Sequence, residues 1–378
     1  MTITMNLKIK KNMKYKILIP VILSCFLLAE NSNAQIYQKS KKIIKSYGIK
    51  SDCSVQIINK YGNIHIIPWE KDSVRFEISM TIKSKKKEKI ENIMNSINID
   101  FTNTQYYVIA KTSFIDYMNT FWADFSKMTN IAFSSGNSVE INYVVYVPIK
   151  CELKIDNKYG NIYTTDVKRD LSITLSNGDF KAHNLYGNSK INVDFGNVTI
   201  ENMNIGRLSI NYSEFELKNA KNLDFISKSS KININKIGII NIDSKRDKYY
   251  INTVKTMKGE AYFSYITIYN FYKNILLRTK YGNVNLETIS DKFQYIQINS
   301  EYTDFNFFFN TTASYILEIK HNYKTKIIFP INESSVEKDI ISKEEKTFNS
   351  HAIIGRNKQT LSKLKMNMNS GTINIIHK

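Results

Sequence analysis

A short phrase centred on Tyr-Gly-Asn recurs through this chain, and its spacing constrains the fold more than any other feature. "NKYGNIHIIPW" (Asn59–Trp69) returns as "NKYGNIYTTDV" (Asn157–Val167) and again as "TKYGNVNLETI" (Thr279–Ile289). Alignment on the glycine marks Gly160, Gly178, Gly196, Ser213, Ser230, Asp247, Ser264 and Gly282, at steps of 18, 18, 17, 17, 17, 17 and 18 residues. A fixed period of this size is the signature of stacked structural repeats.

Apolar residues keep constant phase with these markers. Two positions after them stand Ile162, Phe180, Val198, Phe215, Ile232, Tyr249, Ile266 and Val284. A second alternating set runs through Ile173/Leu175, Ile191/Val193, Leu208/Ile210, Leu223/Phe225, Ile240/Ile242 and Ile296/Ile298. Lys, Asn, Asp, Thr and Glu fill the positions between, which is the period-2 pattern of strands with one buried face. Each unit thus holds two short strands and cannot bury its own apolar face, so neighbouring units must stack. A hairpin sandwich competes but gives no reason for columns at constant phase. The expected fold is mainly all-β: a parallel β-solenoid, or β-helix, with coils of about 18 residues over residues 148–310. Glycine at the marker is expected to supply positive φ at a corner. The residue before the marker is often aromatic (Tyr61, Tyr159, Phe195, Tyr212, Phe263, Tyr281). The parity of the preceding strand places that column inside the stack, against the alternative of an exposed ladder that stacks on sugar rings.

The flanks lack the step. Residues 35–147 read as an N-terminal α+β capping module, in which Asn59–Trp69 is an outlying coil or a strand joining the same stack. Its one helix carries Ile90, Ile93, Met94 and Ile97 on one face. Within "FIDYMNTFWADFSKM" the apolar residues again recur at helical spacing. This segment reads as a helix lying over the stack, or as an aromatic interaction lid formed by Tyr117, Phe121, Trp122 and Phe125. Residues 311–378 read as C-terminal strands that close the stack at Gly371, with a polar loop over 331–350.

Residues 1–34 have the form of a signal peptide: five Lys, then the 13-residue apolar run "ILIPVILSCFLLA", then "SNA". The run is too short to span a bilayer. Cleavage after Ala34 fits better than lipidation at Cys25, which is followed by more apolar residues. The chain is therefore expected to be exported, to periplasm, outer surface or medium, with no transmembrane helix after cleavage. Two cysteines remain, Cys53 and Cys151, each nine residues before the glycine of a repeated phrase. They either pair as a disulfide, in keeping with an oxidising compartment, or serve as two separate small buried residues.

The whole chain has a net charge of +19, and loss of the first 34 residues, with five Lys and one Glu, leaves +15. Lys is spread along nearly every segment and outnumbers Arg 47 to 6, which argues against nucleic-acid recognition. No HExxH, GxSxG, P-loop or dinucleotide-binding turn occurs. The five His residues occupy unrelated phases of the repeat, and no two carboxylates share a readable spacing. The sequence implies no cofactor, no metal site and no catalytic residue, so the expectation is a non-enzymatic protein. A polysaccharide-cleaving β-helix enzyme and a purely structural envelope protein are the rivals.

"NKYGNIHIIPWEKDSV", "VEINYVVYVP" and "IDNKYGNIYTTDV" followed by "LSNGDFKAHNL" together resemble the adhesin-like domain-of-unknown-function proteins exported by Gram-negative bacteria. That resemblance implies a β-solenoid and an adhesive or scaffolding role at the cell envelope. It implies no catalytic residues. With the basic balance, the expected partners are acidic glycans or cell-envelope components.

Overall fold

The computed structural model describes residues 36–115, 138–329 and 336–378. The signal-like segment 1–34 and the aromatic residues Tyr117, Phe121, Trp122 and Phe125 lie outside the described residues. Among those described, 24 strands form one mixed sheet and a single helix, α1 (Lys87–Ser96), packs Ile90, Ile93 and Met94 into the core.

The repeats supply the parallel part of that sheet. Strands β11 (Leu171–Ser176), β12 (Phe180–Asp194), β13 (Asn197–Asn211), β14 (Glu214–Lys228), β15 (Lys231–Lys245), β16 (Lys248–Tyr262), β17 (Tyr265–Ile289) and β18 (Tyr295–Phe309) pair in parallel, each with the next. The register matches Phe180 with Val198, Val198 with Phe215, Phe215 with Ile232, and Ile232 with Tyr249. All five are fully buried. Burying each such side chain is worth roughly 1.5–3 kcal/mol, so the column is a main source of cohesion between units.

Strands from distant parts of the chain join both ends of this array. β2 (Ser54–Lys60) pairs in parallel with β8 (Glu152–Lys158), setting Asn59 against Asn157. β3 (Ile64–Trp69) likewise pairs with β9 (Ile162–Thr164). The first and second copies of the phrase are thus neighbours in space although far apart in sequence. Cys53 and Cys151 immediately precede β2 and β8, with Cα atoms 4.5 Å apart, and are joined as a disulfide. At the other end β23 (Lys363–Asn369) and β24 (Gly371–His377) pair in parallel with β18.

The flanks make the sheet mixed rather than wholly parallel. β1 (Tyr37–Gly48) pairs antiparallel with β4 (Ser73–Ser84), and β4 with β7 (Ser138–Pro148). Residues 331–350, expected as a polar loop, contain β21 (Glu337–Ser342) and the start of β22 (Thr347–Ile354), paired antiparallel. Among the described residues β21 pairs only with β22, so its polar and charged residues sit on an exposed edge, where strand formation does not need an apolar face.

The marker glycines also differ from expectation. Positive φ belongs to the residue before the marker, from Tyr61 (67°) and Tyr159 (57°) through Phe195 (59°) to Tyr302 (49°). Among the glycine markers only Gly371 has it. The others are glycine because the backbones approach too closely: a Cβ on Gly160, Gly178 or Gly196 would collide with the carbonyl of Gly62, Gly160 or Gly178 respectively.

Candidate functional site: a basic groove and an exposed aromatic ladder

The step between markers decides the surface at the corner between the two strands of each unit. Units with an 18-residue step carry extra residues there. Against β13, β12 shifts register between Leu185 and Asn188, which inserts Tyr186 and Gly187 opposite a single residue. Against β16, β17 shifts in the same way around Tyr272 and Lys273. The units between them step by 17 and lack the insertion. The result is a recess of about 1070 Å³, floored by the 17-residue units and bordered by Tyr186 and Tyr272, which are 44% and 47% exposed.

Lys221, Lys236, Lys255 and Lys273 line this groove, all four exposed, and among the described residues no Asp or Glu contributes to its lining. A ladder of amides runs along one side. Asn219 Nδ2 donates to Asn202 Oδ1 at 2.9 Å, and Asn202 Nδ2 to Asn184 Oδ1 at 2.7 Å. Such a ladder repeats because equivalent residues sit one strand spacing apart, and each amide can donate and accept. Four ammonium groups with no carboxylate partner in the recess create a positive field open to water. The groove can hold an extended anionic polymer by charge, by hydrogen bonds to amides and by contact with two rings. The sequence reading missed these lysines. The available signal was the change of step from 18 to 17 and back, together with Tyr, Asn, Lys, Gly, Lys and Tyr at the eighth position after successive markers, Tyr186 to Tyr272.

The aromatic column before the marker lies outside the stack, against the inward expectation. Tyr159, Phe195, Tyr212, Phe263, Tyr281 and Tyr302 are 42–56% exposed. A left-handed residue interrupts strand alternation, so the side chain that parity would turn inward turns out instead. Positive φ costs a non-glycine residue on the order of 1–2 kcal/mol. Two interactions offset it. At the corners from Tyr61 to Phe263 the backbone N–H donates to a carbonyl of the next unit, as Tyr159 to Ser176 at 2.9 Å and Phe263 to Lys280 at 2.8 Å. The rings also stack: Phe195 on Tyr212 at 5.0 Å and 6°, and Tyr281 on Tyr302 at 5.1 Å and 10°.

The corners are wired in two ways beneath the ladder. In glycine units the residue after the marker accepts from its successor: Asp179 N–H donates to Asn161 Oδ1 and Asn197 N–H to Asp179 Oδ1, each at 2.8 Å. In Ser and Asp units the marker side chain accepts instead. Ser213 N–H donates to Ser230 Oγ at 3.2 Å, and Asp247 N–H to Ser264 Oγ at 3.1 Å. Asp247 is fully buried, and burial raises its carboxyl above the ordinary carboxylate range against the opposing pull of its hydrogen bonds.

Among the described residues no group of three or more His, Cys, Asp or Glu is placed to hold a metal ion, and no helix is long and apolar enough to cross a membrane.

No family model matches the chain, and no curated protein matches it. Solved structures do. A protein of Parabacteroides merdae provisionally named an adhesin aligns at 14% identity and a TM-score of 0.35, over 72% of this chain and 96% of its own. One of Parabacteroides distasonis with the same provisional name aligns at 12% and 0.33, over 71% and 96%. Another from that organism, provisionally named a lipid-binding protein, aligns at 11% and 0.28, over 89% and 97%. At these identities and scores, what the groove and ladder can do rests on the residues of this chain alone.

Proposed function

We propose that this chain is a β-solenoid that works as a non-enzymatic, exported interaction scaffold of adhesin type, binding acidic glycan along its basic groove. The parallel one-unit register from β11 to β18 supports the solenoid reading. The observation that carries the ligand is the groove lining itself, with Lys221, Lys236, Lys255 and Lys273 and no carboxylate. A solenoid is suited to this task because its long rigid side presents repeated groups at a spacing set by the strands, so a polymer meets several weak contacts in a row.

Binding of polygalacturonate, with neutral dextran as control, tests the proposal. Exposed lysines are screened by salt, so affinity for the polyanion should fall steeply between about 0.05 M and about 0.5 M salt. Lys221→Gln, Lys236→Gln, Lys255→Gln and Lys273→Gln together should weaken it at least about tenfold at low salt. Equal affinity in wild type and the fourfold variant would reject the groove as the site.

A further inference from the structure

The aromatic ladder, exposed except at the half-buried Tyr61, is continuous in three runs and is interrupted at two places. Tyr61 and Tyr159 stack at 5.4 Å and 6°; Phe195 and Tyr212 form the second run; Phe263, Tyr281 and Tyr302 form the third. The first interruption is one unit wide and holds Asn177. The second is two units wide and holds Ser229 and Arg246. All three residues keep the same left-handed backbone as their aromatic neighbours, at 57°, 51° and 62°. The corner geometry is therefore unchanged where the ring is missing, and only the side chain differs.

We propose that the interval at Asn177 is a binding site for one pyranose ring of a neutral sugar, held between the facing rings of Tyr159 and Phe195. Each of these two rings is covered on its far side, Tyr159 by Tyr61 and Phe195 by Tyr212, and is 46% and 56% exposed. Two strand spacings separate them, about 9.6 Å. A flat aromatic guest in face contact needs roughly 3.5 Å on each side, about 7 Å in all, and spans the slot only at the wider 5.0–5.4 Å centroid separation that the ladder's own flat rings keep. A saturated chair is thicker because C–H bonds project from both faces, so it reaches both rings at about the spacing that the ladder's own members keep. The strands are tied by backbone hydrogen bonds, so the slot cannot narrow to suit a thinner guest. Lys158, Asn177 and Asp194 are exposed at or next to the slot in sequence, where their polar groups can meet equatorial hydroxyls.

The wider interval is a poorer host. Lys228 Nζ lies 5.4 Å from the Tyr212 ring centroid, placing a cation against that ring, and three strand spacings, about 14 Å, exceed one ring. Among the described residues no cation lies over Tyr159 or Phe195.

The neutral-sugar site is separate from the acidic-glycan groove, and the two fail separately. Cellohexaose, chitohexaose and mannohexaose would be titrated calorimetrically into wild type, Asn177→Tyr, Tyr159→Ala and the fourfold lysine variant. At least one hexasaccharide should bind wild type with little salt dependence and bind the lysine variant equally well. Asn177→Tyr completes the ladder, so it should hold or raise the unfolding temperature while weakening binding at least about tenfold, and Tyr159→Ala should weaken it similarly. Absence of binding by all three sugars would overturn the proposal, as would equal affinity in Asn177→Tyr and wild type. Tryptophan amide that bound wild type but not Asn177→Tyr, where the sugars did not, would overturn the sugar assignment in favour of a planar guest.

Discussion

Asp247 Oδ1 accepts the backbone N–H of Ser230 at 2.8 Å, one unit away across the sheet. The same carboxyl receives hydrogen bonds at its other oxygen from Ser244 Oγ at 2.7 Å, Ser227 Oγ at 2.8 Å and the Lys245 N–H at 2.9 Å. A single side chain thus joins the corners of successive units inside a dry stack.

That carboxyl makes stability depend on pH. Its folded pKa is raised by burial, so protonation favours the folded state. Its contribution is fully present below the unfolded carboxylate value of about 3.9 and is lost as pH rises through the folded value. Asp247→Asn cannot titrate, so the stability of wild type relative to this variant should decline across that window, as measured by urea unfolding at a series of pH values. A constant difference would show that folding leaves the pKa of this carboxyl unchanged.

Close backbone approach at the markers predicts a sharp contrast between glycines. Gly196→Ala places a methyl group against the Gly178 carbonyl and should cost about 1–3 kcal/mol. Gly48→Ala, with open space around the added carbon, should stay within about 0.5 kcal/mol of wild type. Chemical denaturation of the two variants measures both, and equal effects would contradict the stacking geometry.

The strand columns were readable from the chain because in/out alternation survives wherever a strand stays extended, as from Phe180 to Ala182 and from Ile191 to Val193. It fails at the left-handed corner, which is why Phe195 and Tyr212 point to water while parity points them inward. Glycine at the marker suggested a conformational need, whereas Gly160 and Gly196 answer to contact with another unit, and such a contact is invisible until units are stacked. The groove lysines were obscured by the even spread of Lys along the chain. Only the shortened step singles out Lys221 and Lys255. The β21–β22 hairpin was unreadable for a different reason, since an exposed edge such as Glu337–Ser342 carries no apolar pattern to detect.

The bond between Cys53 and Cys151 closes a loop of 98 residues. Chain entropy alone assigns such a cross-link up to about 4.7 kcal/mol, and removal of native disulfides typically costs 2–5 kcal/mol. The Cys53→Ala, Cys151→Ala variant should therefore lose about 2–4 kcal/mol in urea unfolding, and a reducing agent should lower wild type alone. Identical unfolding of oxidised and reduced protein would show that the bond contributes nothing.

The groove owes its depth to the 17-residue step, which can be changed without touching charge. One glycine inserted after each of Asn204, Lys221, Gly238 and Lys255 would lengthen these corners and raise the floor between Tyr186 and Tyr272. Polygalacturonate affinity at low salt, measured beside unfolding temperature, should drop at least about tenfold in the folded insertion variant with every lysine still present. Unchanged affinity would contradict the groove as the glycan-binding feature and leave only diffuse surface charge.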